Sequence, residues 1–304
     1  MKFEMKNRLK PCAAVSIAIM VIALVMTMMG NGMNLGIDFT GGTLMTYNMG
    51  AEFNADDVKA ALADCGVAEA QIAKTGEENT QVQIRISDVE NTDDLRDALV
   101  EKLSASYPGI EYVDITRVGA VVGGELISNA IKSLTVAAVL MLIYIAFRFD
   151  LYSGLAAVIG LAHDIAIMLS FVVICNSFIR VETTFVAALL TIVGYSINNT
   201  IIIFDRIREN AKVKPELPKA ELVSLSVREC LGRTIMTSVT TLVTILALYI
   251  LGVAAIKEFA LPIIVGVLAG TWSSNLISGY IWAWLEEKFP KKEKSDDEDE
   301  DDEE

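Results

Sequence analysis

The side chains best placed to do chemistry in this sequence lie inside apolar runs, where ionisable groups are costly and mark ion or proton pathways. His163 and Asp164 fall halfway along the run Leu151–Ile174. A carboxylate at that depth must face protein, water or a partner. The pair reads either as a relay for a proton or cation, or as a buried hydrogen-bond node between helices. His163 is the only histidine in the chain, and it draws its interest from the carboxylate beside it.

Two further constellations follow. Gly194-Tyr195-Ser196-Ile197-Asn198-Asn199-Thr200 sets two amides and neighbouring hydroxyls inside the next apolar run. Such groups hydrogen-bond adjacent helices or solvate a cavity. That run ends in Phe204-Asp205-Arg206-Ile207-Arg208-Glu209-Asn210, whose charges read as a structural ion network at a membrane surface. The following run opens at Arg233 and carries Thr234, Thr237, Ser238, Thr240, Thr241 and Thr244. Thr237, Thr241 and Thr244 share one helical stripe. By depth, Arg233 lies within a turn or two of Asn199. It either snorkels to the nearer interface or reaches the amides of Asn198 and Asn199. Gly266, Gly270, Ser273, Ser274 and Ser278 are small enough for close helix packing in the last run.

These side chains need a membrane-spanning scaffold, and the composition supplies one. Hydrophobic residues make up 53% of the chain and the mean hydropathy is +0.47, above the apolar share of ordinary soluble proteins. Six runs are long enough to cross a bilayer, at about 20 residues each. They are 12–29, 126–147, Leu151–Ile174, 183–204, 234–251 and 259–285. Lys2, Lys6, Arg8 and Lys10 precede the first, and no small-residue cleavage site follows it, so a retained signal anchor is expected.

Basic residues set the expected orientation. With the N-terminus inside, the two short outer loops hold only Arg180 and Lys257, while the inner segments collect most of the Lys and Arg. The expected organisation is a cytoplasmic N-terminus at 1–11, the first span at 12–29 and an extracytoplasmic domain at 30–125. Spans two to six then occupy 126–285, with a cytoplasmic loop at 205–233, and an acidic, disordered cytoplasmic tail closes the chain at 286–304. The net charge of −14 belongs largely to that tail, since every residue of 296–304 is acidic. A nucleic-acid-binding surface is not indicated. Cys12, Cys65, Cys175 and Cys230 have no metal-ligand spacing. A Cys65–Cys175 bridge is open on sidedness, against the plainer reading of four unlinked residues.

The polar segment between the first two spans reads as α+β. Residues 43–48 form a strand, Asn54 caps a helix through Asp64 with Asp56 and Asp57 in its first turn, and 70–74 is a weak strand. Val82, Ile84 and Ile86 alternate with Gln83 and Arg85 as a half-buried strand. Thr92 caps a second helix through Ala105, and 110–117 alternates again. The order β-α-β-β-α-β is the ferredoxin-like plan. It has no His, Cys or carboxylate cluster with ligand spacing, so the domain reads as a binding or structural module.

Four motifs, met in order, resemble those of the SecD/SecF protein-secretion family, on its SecF side. Gly36-Ile37-Asp38-Phe39-Thr40-Gly41-Gly42 follows the first span; Ala162-His163-Asp164 lies in the third. Val193-Gly194-Tyr195-Ser196 with Phe204-Asp205-Arg206-Ile207-Arg208-Glu209 marks the fourth, and Arg233-Thr234 with Thr237-Ser238 opens the fifth. The resemblance covers about residues 8 to 290. It implies a polytopic α-helical membrane protein whose six spans form one RND-like half, with SecD supplying the other. It implies an accessory role in protein export across the bacterial plasma membrane, driven by a proton or sodium gradient and needing no other cofactor. The implied partners are SecD, the SecYEG channel, YajC and the translocating unfolded polypeptide, all within the lipid bilayer.

The implied ion-coupling residues are Asp164, His163, Asn198, Asn199 and Arg233. Asp38, Gly41, Gly42, Asp205, Arg206 and Arg208 are motif positions with structural roles; Asp38 to Gly42 reads as a tight turn. One departure stands out. The family has Asp at the position of Asn199, and an amide cannot carry a proton at physiological pH. The coupling acid then lies in SecD, or Asp164 takes a larger share, or the ion is sodium. Competing readings are a non-conducting scaffold that completes SecD, and an RND-like exporter of lipids or small molecules. Nothing in the sequence points to an enzyme: it carries no nucleophile–base pair, metal cluster or phosphate loop.

Overall fold

The computed structural model describes residues 9–67, 70–76, 80–86, 92–177, 179–252 and 254–289. Of the expected tail at 286–304, residues 290–304 lie outside them, as does most of the N-terminal segment, while 286–288 are helical rather than disordered. Apolar runs became helices wherever they were long enough. The spans are α1 (Leu9–Met28), α5 (Ala120–Arg148), α6 (Leu151–Ile174), α7 (Thr183–Val213), α8 (Lys219–Leu251) and a sixth built from α9 (Ala254–Ser273), a π-turn (Ser274–Ser278) and α10 (Gly279–Lys288). All six are long and apolar enough to cross a membrane.

Between α1 and α5 lie a short α2 (Ile37–Thr40) and the sheet domain: β1 (Gly42–Asn48), α3 (Ala55–Asp64), β2 (Ala70–Thr75), β3 (Gln81–Ile86), α4 (Thr92–Ser104) and β4 (Glu111–Val118). The four strands form one antiparallel sheet in the order β2-β3-β1-β4. Its register follows the alternation of β3: Val82 pairs with Tyr47 and Ile84 with Met45, and these residues bury against Leu62 of α3 and Leu99 of α4. Asn54 caps α3 by accepting from the Asp56 amide at 3.1 Å. The opposite face carries Gln71, Gln83, Leu44 and Thr116 and looks onto the membrane spans across a cleft of about 600 Å³.

Within the bundle the burial is uneven. The sixth span is 61% buried, while α5 is only 6% buried and α8 11%. Close packing of α9 rests on absent side chains: a Cβ at Gly266 would meet Ile192 at 2.4 Å, and one at Gly270 would meet Ser196 at 3.2 Å.

Four expectations need correction. The expected loop 205–233 is helical except for residues 214–218. Ile207, Leu222, Val223 and Val227 repeat at helical spacing among its charges and are buried, which carries α7 and α8 past the apolar core. The second span begins at Ala120, six residues before its apolar run, and α4 starts at Thr92 itself. The sixth span is not a plain helix, because the π-turn interrupts it. All four cysteines are unbridged.

Candidate functional site at the bundle centre

Asp164 is fully buried, and both of its oxygens are engaged. Oδ2 accepts hydrogen bonds from Ser196 Oγ on α7 and from Ser273 Oγ at the end of α9, the latter at 2.8 Å. Oδ1 lies 3.0 Å from His163 Nδ1. His163 Nε2 lies 2.8 Å from Ser16 Oγ on α1. Four spans thus converge on one carboxylate. Gly270 lies beside it and leaves space for Ser196, which a Cβ there would crowd at 3.2 Å. The chain Ser16–His163–Asp164 can pass a proton along alternating donors and acceptors, because the imidazole has one of each when neutral. Ser16 escaped sequence reasoning, and Ser273 reads there only as a small packing residue. A single serine in an apolar run is unremarkable until helix crossing brings it to a carboxylate.

The other intramembrane candidates do not join this node. Asn199 is fully buried, yet neither its Oδ1 nor its Nδ2 has a hydrogen-bond partner among the described residues. Asn198 and Arg233 are exposed on the bundle's outside. The Arg233 side chain makes no ion pair or hydrogen bond among the described residues and does not reach the amides; it faces outward around its helix. Thr237, Thr240 and Thr244 spend their hydroxyls on α8's own carbonyls. The inward stripe of α8 is instead Thr234 and Ser238. Thr234 donates to Asn275 Oδ1 at 3.1 Å, and Ser238 joins Tyr195 and Thr271 in a hydroxyl chain.

At the sheet end, Asp38 Oδ2 accepts from both the amide and the hydroxyl of Thr183, at 2.9 and 2.7 Å. It therefore caps α7 from another segment, an anion at a helix N-terminus. Gly41 takes φ +72°, as a turn into β1 requires, and Gly42 opens that strand. Arg85 of β3 donates from Nη1 to the Leu35 carbonyl at 2.9 Å and from Nη2 to Glu182 Oε1 at 3.3 Å. Burial pushes the Glu182 carboxyl up to about 7, with the charge of Asp38 adding to the rise and that of Arg85 opposing it. Burial also lowers Arg85 from its ordinary range. The ion pair does not recover what desolvation removes.

At the opposite end, Asp205 pairs with Arg148 at 3.6 Å, Arg206 with Glu229 at 2.6 Å and Glu209 at 2.7 Å, and Arg208 donates to the Arg148 carbonyl. These exposed pairs tie α7 to α5 and α8 and add little stability individually. Among the described residues no three His, Cys, Asp or Glu side chains are grouped to hold a metal ion.

The family model for "Protein export membrane protein SecD/SecF, C-terminal" matches residues 99–288, and that for the "SecD/SecF GG Motif" matches residues 28–49. The chain is 38% identical over 301 residues to the protein translocase subunit SecF of Gemmatimonas aurantiaca, covering 95% of this chain and 89% of that one. It is 37% identical to the protein translocase subunit SecDF of Thermus thermophilus over 91% of its own length, but spans only 38% of that longer protein. The crystal structure of SecDF from that organism superposes with a TM-score of 0.79 at 35% identity, over 92% of this chain and 38% of the other. A second SecDF structure, in a super-membrane-facing form, gives 0.62. With two family models and relatives matched along nearly its whole length, the chain belongs to the SecD/SecF family.

Proposed function

We propose that this chain is the accessory Sec subunit that completes a second six-span half, SecD, and that the pair promotes late steps of protein export across the bacterial inner membrane. The observation that carries this is the outward polar face. Asn198 and Arg233 are exposed at membrane-spanning positions, on a bundle whose α5 and α8 are almost unburied. Polar groups facing lipid are unfavourable, so a partner's spans are expected to cover them. The relatives are named as translocase subunits, which points to a non-enzymatic role.

In this reading both termini are cytoplasmic and the sheet domain lies outside, where it adopts the ferredoxin-like plan; the strand order β2-β3-β1-β4 supports that plan. Asp164 and His163 form the ion-coupling node, with the proton or sodium gradient as energy source. The SecYEG channel, YajC and the emerging unfolded polypeptide are further partners. The test is reconstitution with SecD. Gradient-dependent completion of export is expected with the wild-type subunit and is lost with Asp164→Asn; unchanged gradient dependence removes Asp164 from the mechanism.

A second reading, a non-conducting scaffold, is favoured by Asn199. The residue carries no charge, and Arg233 does not reach it. Gradient dependence that persists when every ionisable residue of this subunit's spans is neutralised would establish it.

A further inference from the structure

The junction between the sheet domain and α7 has the makings of a switch. Three carboxylates, Asp38 on α2, Glu182 before α7 and Glu258 on α9, line one cleft with the single guanidinium of Arg180, and Arg85 reaches in from β3. Lys74 also lines this cleft, so cations and carboxylates balance in number, and it is the half-buried position of the acids that favours protonation of one of them. Glu182 is the one in contact with both bodies. Its carboxylate touches Arg85 of the sheet, and its side chain is only 19% exposed. It also lies hard against Gly36, where a Cβ would stand 1.9 Å from Oε2. The surrounding backbone is stitched by Gly36 N to Val181 O at 2.8 Å and by Val181 N to Asn34 O at 2.9 Å. Arg180 adds a 2.9 Å bond to Gln83 of β3.

We propose that Glu182 is a second proton-binding site of this protein, distinct from Asp164, and that docking of the sheet domain onto α7 is coupled to its protonation. The direction follows from the groups that face it. Asp38 and Glu258 repel the charged form, Arg85 and Arg180 attract it, and burial disfavours it. With its proton affinity raised in the docked state above the ordinary carboxylate value, the carboxyl binds more protons docked than undocked. Docking is therefore firmest at low pH and weakens as pH rises through about 7. Neutral Glu182 leaves Arg85 its bond to the Leu35 carbonyl, so the sheet stays tethered while the repulsion is gone. Ser196, which holds Asp164, lies roughly four turns further along α7. The helix whose start senses the outer proton is thus the helix that supports the inner carboxylate. This coupling role rests on the export reading above; the proton site itself does not.

The test is hydrogen exchange on the full chain in nanodiscs, with no gradient and no partner, so that its failure is separate from failure of the export reading. Amides of Gly36, Val181 and Thr183 report docking. After correction for intrinsic exchange, their protection is expected to fall more than about tenfold between roughly pH 5.5 and pH 8. Glu182→Gln is expected to keep high protection at every pH, and Glu258→Gln to keep a pH dependence. Asp38→Asn moves the midpoint to lower pH. Protection independent of pH in the wild type, or an unchanged pH dependence in Glu182→Gln, overturns the proposal. So does a pH dependence that disappears with Glu258→Gln alone. Unaltered circular dichroism and a monodisperse elution profile show that each variant folds.

Discussion

Asp164 and Asn199 are both fully buried polar side chains in the middle of the same bundle, and they are treated in opposite ways. Every polar atom of Asp164 is held, by side chains from three directions. Among the described residues, neither side-chain polar atom of Asn199 is held. A buried amide without partners costs roughly 1–3 kcal/mol on mutational scales, and a satisfied carboxylate is locked in place by the groups that satisfy it. The first region is a finished site that this chain builds alone. The second is unfinished as it stands.

The sharpest way to break the comparison is Asp164→Leu. It leaves Ser196, Ser273 and His163 without their acceptor, and a loss of about 3–5 kcal/mol is expected in detergent unfolding. A variant as stable as the wild type would mean that the node is not preorganised. Asn199→Leu should do the reverse and raise the stability of the isolated chain by about 1–2 kcal/mol. In the complex with SecD that gain is expected to vanish if the partner satisfies the amide; a gain that persists there would show that the partner does not reach it. Ser273→Ala removes one hydrogen bond to the buried Asp164 carboxyl and should cost about 1–2 kcal/mol by the same measurement. Ser16→Ala, at the far end of the His163 link, should cost about 1 kcal/mol or less. Equal costs for the two serines would mean that His163 and Asp164 hold their bonds with equal strength.

Much of this was legible from residue types alone. The apolar runs located the spans, the alternation of Val82, Ile84 and Ile86 set the strand register, and Asn54 announced a cap. Asp164 stood out because a carboxylate in an apolar run has few alternatives. What stayed hidden depends on rotation and crossing. Counting along the helices set Arg233 near Asn199, but it is exposed on the bundle's outside, and position along a helix says nothing about azimuth. Ser16 lies far from His163 in sequence and looks like any small polar residue. Gly36 read only as the first position of a motif, whereas its clearance serves the Glu182 carboxyl, a contact no local pattern announces. The helical continuation through 205–233 was present as a buried stripe under a dense cover of charge, and the charge drew the eye.

The π-turn at Ser274–Ser278 gives the sixth span a phase of its own. A π-turn holds one residue more than the α-helical path it replaces, so the two halves of the span, the one ending at Ser273 and the one carrying Tyr280, Trp282 and Leu285 into the core, are offset by about 100°. Removing any single residue from that turn would leave length, hydropathy and composition almost unaltered. It would also turn one half against the other, so that Ser273 could face Asp164, or the aromatic residues could face the core, but not both. In this span a one-residue deletion acts as a frameshift of the surface rather than as a loss of mass.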